Sequence, residues 1–522
     1  LEHRRQRQMC IRDRFKENAL LSKKLATIKC DVPIDHLPKD LIRSDFNNEK
    51  ILELLTELEF RSLIKRLFNN EKELFDSNKT TKSNISTENY DTIKSINHSY
   101  YTLNNNQEIN ELIKNLNSCK LFAFDLETTS LDIQTTKILG ISFSYKAHEA
   151  FYIPMPESEN DKKSIINLFV DIFNNPKIKK IGQNIKFDLG VLFAHGYVVQ
   201  ENLIDTMIAH YLIDPSQRHN MDYIAKTELN YAPIPITDLI GSKKSNQIKM
   251  SEIAKDKLAE YAAEDADITL QIWFILSKKI KEQNLEKVFY EIEMPLLPVL
   301  VCMESNGINI NKNSLGEYSV ILEKQINKLE QLIYTFSGMP FNINSPKQLG
   351  EVLFDLLKIV DKPKKTKTGQ YQTGEDILSE LRNDHEIVNK IIEFRQLMKL
   401  KTTYVDALPN DVCNKTKRIH STFSQSTTTT GRLSSSNPNL QNIPIRTESG
   451  KEIRRSFIPR NGYKLLACDY SQIELRVLAE LSNDKNLNKA FLSGEDIHSS
   501  TASLIFNVCL LYTSDAADDV RG

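Results

Sequence analysis

The stretch Leu121–Ser130, LFAFDLETTS, constrains the chain more than any other. Four apolar residues run into Asp125 and Glu127, which reads as a strand with two acids toward its far end. Residues i and i+2 of a strand leave the sheet on the same face, so the two carboxylates emerge side by side. Like charges held that close repel, and folding them together is costly unless a cation lies between them. An isolated Asp-x-Glu is commonly a strand end with solvated acids. The acids that follow at Asp188 and Asp265 turn this pair toward metal chemistry.

The chain has 522 residues, 40% hydrophobic and 26% charged, enough ordinary globular material for about two to four domains. No apolar run approaches the ~20 residues of a membrane span. The best candidate, Met294–Met303, is short and interrupted by Pro295 and Pro298. The net charge of −1 gives no global basic field, so a nucleic acid would have to be held by local patches. Seven scattered cysteines without a CxxC pair speak against a zinc site or a disulfide framework and for a reducing, cytoplasmic setting.

The two ends share an odd property. Arg4–Asp13 reads RRQRQMCIRD and Cys509–Asp518 reads CLLYTSDAAD. Both back-translate to one DNA string, the second to its reverse complement, and that string looks like a transposase adapter from sequencing libraries. Residues 1–14 and 509–522 are therefore expected to be adapter-derived and are set aside from the fold. A basic arm and an acidic tail is the plainer alternative. Residues 15–75 show a helical pattern. Residues 76–106 are rich in Asn, Ser, Thr and Lys and read as a linker.

Residues 107–283 alternate between strand and helix patterns. Strands are expected at Leu121–Leu126, Ile138–Tyr145, Ala150–Ile153 and Lys177–Ile181. In GQNIKFDLGVLFAHG a turn at Gly182 opens a helix ending near Gly196, with Asn184 and Asp188 four apart on one face. In YAAEDADITLQIW, Tyr261 and Asp265 are again four apart, among alanines that allow close packing. Taken singly, each helix reads as an amphipathic element with an exposed acid. Together they offer four carboxylates and a phenol. Four acids can hold two divalent ions about 3.5–4 Å apart, the clamp for in-line attack on a phosphodiester. An all-oxygen set suits Mg²⁺ or Mn²⁺ rather than zinc.

This order and spacing resembles the 3′–5′ exonucleases of the DEDD type, in the subclass with Tyr in the last motif. The resemblance implies an RNase H-like mixed sheet, with Asp125, Glu127, Asp188 and Asp265 as metal ligands and Tyr261 orienting the attacking water. It further implies that Leu131 separates the terminal bases and that Asn184 supports the second motif.

Residues 284–508 differ in character. Long helical patterns at Asn313–Phe336 and Glu375–Tyr404 precede SQSTTTTGRLSSSNPNLQNIPIR, a run of hydroxyls, amides and arginines suited to phosphate, sugar and minor-groove acceptors. By composition alone it is a polar surface loop. After a basic run, YKLLACDYS reads as a strand delivering Asp469. QIELRVLAELS then reads as a helix with Ile473, Val477, Leu478 and Leu481 on its buried face.

TTGRLSSSNPNLQNIPIR followed by LLACDYSQIELRVLAELS resembles the polymerase domain of the family A DNA polymerases. FKENALLSKKLATIKCDVPI, from Phe15, resembles the tail of that family's 5′ nuclease domain. The whole is then a multidomain α/β chain, an exonuclease domain followed by a helical thumb and the start of a palm. The resemblance implies that Asp469 and the Tyr470 carbonyl bind the catalytic metals and that Glu474 excludes the ribose 2′-OH. It places Arg432, Gln441 and Asn442 on the DNA at the primer terminus. Implied partners are a primer–template duplex, a single-stranded 3′ end and deoxynucleoside triphosphates, with a monomeric protein and no membrane. Cys468, just before the aspartate, departs from the family as a small substitution. The fingers helix and the second palm aspartate have no counterpart after DIHSSTASLIFNV, so this chain alone is not expected to extend a primer. A stand-alone DEDD exoribonuclease has no palm motif, and a silent DNA-binding module lacks at least one of the four acids.

Overall fold

The first two strands form where β-branched and aromatic residues cluster between polar turns. In the computed structural model, which describes residues 50, 51, 54, 55 and 90–503 save 243–246, 367, 446, 495, 498, 500 and 502, they enter one mixed sheet. The chain divides into two compact units, Leu1–Glu88 and Asn89–Gly522, and the structure below is that of the second. Residues 50, 51, 54 and 55 of the first are helical. The expected adapter-derived ends and most of the expected 5′ nuclease remnant lie outside the described residues.

The sheet is built from β1 (Ser99–Thr102), β2 (Leu121–Thr128), β3 (Ile138–Lys146), β4 (Glu149–Pro154), β5 (Lys179–Gly182) and β6 (Leu203–Asp205), in spatial order β1-β4-β3-β2-β5-β6. β2 and β3, and β3 and β4, are antiparallel, whereas β1 runs parallel to β4, β5 to β2 and β6 to β5. Four strands fall where the sequence puts them. β1 and β6 do not: β1 lies in the stretch expected to be a linker, and β6 is a three-residue strand too short to show a period. Tyr100 explains the capture of β1, because its hydroxyl donates to Asp267 Oδ2 at 2.8 Å across the fold.

Helices cover both faces, which is why β2 is buried almost throughout rather than on alternate residues. On one side Phe122, Phe124, Phe143, Phe169 and Phe173 form an aromatic core beneath α1 (Asn106–Ser118), with Phe143 and Phe169 stacked at 4.8 Å. On this same body sit α2 (Ile185–Ala194), α3 (Thr206–Ile213) and the long α4 (Lys255–Glu282). Ala262, Ala263 and Ala266 are buried at the α4 contact, and their small side chains let the helix axis approach the strands.

α5 (Met294–Asn306) accepts Pro295 in its first turn, where no N–H partner is needed, and tolerates Pro298. Its Met294, Leu297 and Val301 complete the core around the sheet, so that core extends past residue 283. A second core joins α6 (Lys312–Ser337) to α7 (Glu386–Leu400). Leu315, Leu322, Ile326, Leu329 and Ile333 recur at helical spacing against Ile387, Val388, Ile391 and Phe394. The expected helical run Glu375–Tyr404 is divided: a short helix, Glu375–Glu380, ends before His385, whose Nδ1 caps α7 by accepting from the Ile387 amide at 3.1 Å.

Beyond this core two expectations fail. YKLLACDYS is an exposed irregular segment, not a strand, with Leu466 88% and Tyr470 81% exposed. No strand among the described residues pairs with it, and an extended segment without a partner leaves its amides to water. The following helix forms as α8 (Ile473–Ser482), but Ile473, Val477, Leu478 and Leu481 are exposed and only Ala479 is buried. Among the described residues, no helix is long and apolar enough to cross a membrane.

Candidate active site

The strand period and the helical turn deliver the acids from opposite directions. β2 presents Asp125 and Glu127, and α4 presents Asp265, one turn beyond Tyr261. Carboxylate oxygens of Asp125, Glu127 and Asp265 all lie within 4.8 Å of one another. Asp125 is half-buried, while Glu127 and Asp265 are buried. Glu127 Oε1 and Asp265 Oδ1 have no hydrogen-bond partner. Buried oxygens without partners are costly, and a hard divalent cation is the ligand that an all-carboxylate set of this kind fits.

Asp188, from the first turn of α2, is buried beside this group but stands outside the trio. Its Oδ1 accepts from the Leu126 amide of β2 at 3.1 Å. The same hydrogen bond ties α2 to the strand that carries the other two acids.

Electrostatics shows how tightly the acids are gathered. Burial pushes the Asp125 carboxyl up to about 6. Glu127 is raised well above its ordinary range by burial and then by Asp125. Burial, then the charges of Asp125 and Glu127, raise Asp265. Asp188 is raised by burial and then by Asp125, partly offset by the Leu126 amide. The Tyr261 hydroxyl is raised strongly, by burial first and then by the charges of Asp265, Glu127 and Asp125, so it remains a phenol.

The sequence reading missed the residues that aim this site. α4 carries three acids in four positions, and only Asp265 faces the cluster. Glu264 accepts from Tyr231 Oη at 2.5 Å and the Ile234 amide at 2.7 Å. Asp267 accepts from Tyr100 Oη and the His148 amide, both at 2.8 Å. These flanking carboxylates fix the rotation of α4. The Glu-Asp-Ala-Asp run was the available signal, but only its partners far along the chain separate clamp from ligand.

Asn184 requires a correction. It is not on the face of α2 but caps it, in the left-handed region at φ 55°. Its amide donates to Asp205 Oδ1 at 3.1 Å, which also accepts from the amides of Met207 and Ile208 at the start of α3. Asp205, unnoticed in the sequence, thus fixes the turns before α2 and α3. Leu131 stands 87% exposed on the loop after β2. It borders a cleft of about 450 Å³ whose other walls include Val301, Glu304, Asn410 and His420.

The polymerase-type residues are less gathered. Arg432 and Glu474 form an exposed ion pair. Gln441 Nε2 donates to the Leu433 carbonyl at 3.1 Å, and the Asn442 carbonyl accepts from Tyr404 Oη at 2.6 Å. Asp469 and Tyr470 lie on the exposed segment before α8. Among the described residues, Asp469 belongs to no group of three or more potential metal ligands.

Comparison with known proteins follows the same division. Residues 100–281 match the family model for 3′-5′ exonuclease, and residues 312–517 match DNA polymerase family A, the latter running past residue 508. The chain is 38% identical over 517 residues to DNA polymerase I of Pseudomonas aeruginosa, covering 97% of this chain and 55% of that one. It is 39% identical over 519 residues to DNA polymerase I of Borreliella burgdorferi, covering 97% and 56%. The chain thus spans about half the length of the curated relatives it matches. A solved structure, the POL domain of Pol1 from M. smegmatis in complex with DNA primer-template and dNTP, superposes with a TM-score of 0.66 at 29% identity, over 78% of this chain and 68% of that one. In this one chain a 3′-5′ exonuclease domain, over residues 100–281, is followed by a domain of DNA polymerase family A, over residues 312–517.

Proposed function

We propose that this chain removes nucleotides from DNA 3′ ends by a two-metal reaction and grips duplex DNA with its polymerase segment, as part of proofreading in replication and repair. The observation that carries the reading is the trio of Asp125, Glu127 and Asp265, with two buried oxygens lacking partners beside Asp188. A pair of Mg²⁺ or Mn²⁺ ions held by these four acids would supply Lewis acidity at the scissile phosphate and at the leaving 3′ oxygen. The chain's own groups do the positioning. Tyr261, kept protonated by its acidic surroundings, orients the attacking water. The Asp188 contact with Leu126 holds the ligand-bearing elements in register. Leu131 separates the terminal bases, and Asn184 shapes the turn ahead of Asp188.

Arg432, Gln441 and Asn442 serve the duplex at the primer terminus. Asp469, Tyr470 and Glu474 belong to nucleotide addition. The protein works as a cytoplasmic monomer. The polymerase-family match over residues 312–517 favours DNA over a free-standing exoribonuclease. Digestion of single-stranded DNA and RNA oligonucleotides with Mg²⁺ and with EDTA tests the reading. The expected result is Mg²⁺-dependent release of nucleotides from DNA 3′ ends, lost in the Asp125→Ala/Glu127→Ala variant. Activity that survives this double change rules the site out.

A further inference from the structure

One exonuclease-side residue reaches into the polymerase segment at the turn that carries Arg432. Tyr211, on α3, is 4% exposed. Its hydroxyl donates to the Thr428 carbonyl at 2.8 Å and accepts from the Gly431 amide at 3.2 Å. Gly431 sits in the left-handed region at φ 77°, and Thr428 Oγ1 closes the turn by donating to the Arg432 carbonyl at 2.7 Å. The turn is therefore held at both ends by one phenol. The His219 ring packs edge-on to the Tyr211 ring at 5.6 Å and fixes its angle. The other two polymerase-segment residues expected on DNA are anchored elsewhere, Gln441 to Leu433 within its own segment and Asn442 to Tyr404 after α7. Of the three, only Arg432 leaves from a turn whose backbone is bonded to the exonuclease side, while its guanidinium pairs with Glu474.

Resting on the duplex-binding reading above, we propose that Tyr211 is a positioning residue for the primer terminus. Its hydroxyl sets the Thr428–Arg432 turn, so the exonuclease body fixes where Arg432 meets the duplex. A guanidinium that must reach a base edge or a phosphate tolerates little displacement, because hydrogen bonds weaken steeply with angle and distance. Losing the phenolic anchor lets the turn wander and weakens the grip without touching the acids that cut.

The test uses the whole chain and four proteins: wild type, Tyr211→Phe, Arg432→Ala and the double variant. Duplex affinity is read by fluorescence anisotropy on a primer–template in Ca²⁺, and catalysis by hydrolysis of a single-stranded DNA oligonucleotide in Mg²⁺. Tyr211→Phe should weaken duplex binding about three- to tenfold, the size of one or two lost hydrogen bonds. It should leave single-strand hydrolysis unchanged, which also reports a folded protein. The double variant should bind no more weakly than Arg432→Ala alone, since both changes remove one contact. Unchanged duplex affinity in Tyr211→Phe overturns the proposal, as do additive losses in the double variant. Parallel loss of single-strand hydrolysis also overturns it, because the phenol then supports the fold or the cutting site at large and not the turn alone. A wild type that cuts single strands but binds no duplex instead overturns the duplex-binding reading, and the anchor with it.

Discussion

At the scale of residues, the site stores like charge that only a cation or protons can relieve. Asp125 has a folded-state value of about 6 against an ordinary 3.8. Between those values the folded protein holds the proton more firmly than the unfolded chain does. Stability therefore falls as pH rises from about 4 to about 6 and stays low above that. Asp125→Asn removes this penalty, so in EDTA its melting temperature should exceed that of the wild type by an amount that grows across this window and then levels. Mg²⁺ at pH 7 should raise the wild-type melting temperature far more than that of the variant. A wild type that is insensitive to Mg²⁺ at pH 7 contradicts a cation site at these acids. Asp205, also pushed up to about 6 by burial, lies outside the trio and supplies no such metal dependence.

At the scale of elements, α2 is pinned from two sides. The Asp188 contact with β2 is one. The other is the ion pair of Lys186 with Glu304 at the end of α5, both buried, with Glu304 Oε1 also accepting from the Phe423 amide at 2.7 Å. Removing one partner of a buried pair strands the other charge. Glu304→Ala should therefore cost about 3–5 kcal/mol in denaturant unfolding. Glu304→Gln, whose amide oxygen still accepts both donors, should cost clearly less. Equal losses in the two variants mean that the negative charge of Glu304, and not its volume or its acceptor oxygen, carries the effect. Because Lys186 lies two residues before Asp188, the Ala variant should also slow single-strand digestion.

At the scale of the whole molecule, the two halves differ in how completely their sites are assembled. The acids on β2, α2 and α4 converge beside a six-stranded sheet, whereas Asp469 rides on an exposed segment with no strand partner among the described residues, ahead of a helix with an exposed apolar face. A catalytic carboxylate needs a rigid support and companions to hold paired metals. Template-directed incorporation of deoxynucleotides by this chain is thus expected to be undetectable under conditions where its 3′ exonuclease is readily measured. Primer extension by the purified chain contradicts that expectation.

Much of the acidic cluster was legible because short periods encode it. The two-residue strand period pairs Asp125 with Glu127, and the helical turn pairs Tyr261 with Asp265. The core between α6 and α7 was legible for the same reason, in apolar residues that repeat every three or four positions. Where the period says little, the reading failed. β6 is three residues long, Asn184 caps a helix instead of riding on it, and the apolar run before Asp469 promised a strand that finds no neighbour among the described residues.

Sequence alone determined which residues carry carboxylates and phenols, and on which local element each would lie, because those are properties of neighbours within one or two turns. Tertiary structure decided which acids meet, with Asp265 inside the trio, Asp188 beside it and Glu264 and Asp267 turned away as clamps. It also decided that Tyr211 and Glu304 would tie one half of the molecule to the other. Those outcomes rest on hydrogen bonds between groups from tens to more than two hundred residues apart, and their partners exist only once the chain has closed on itself.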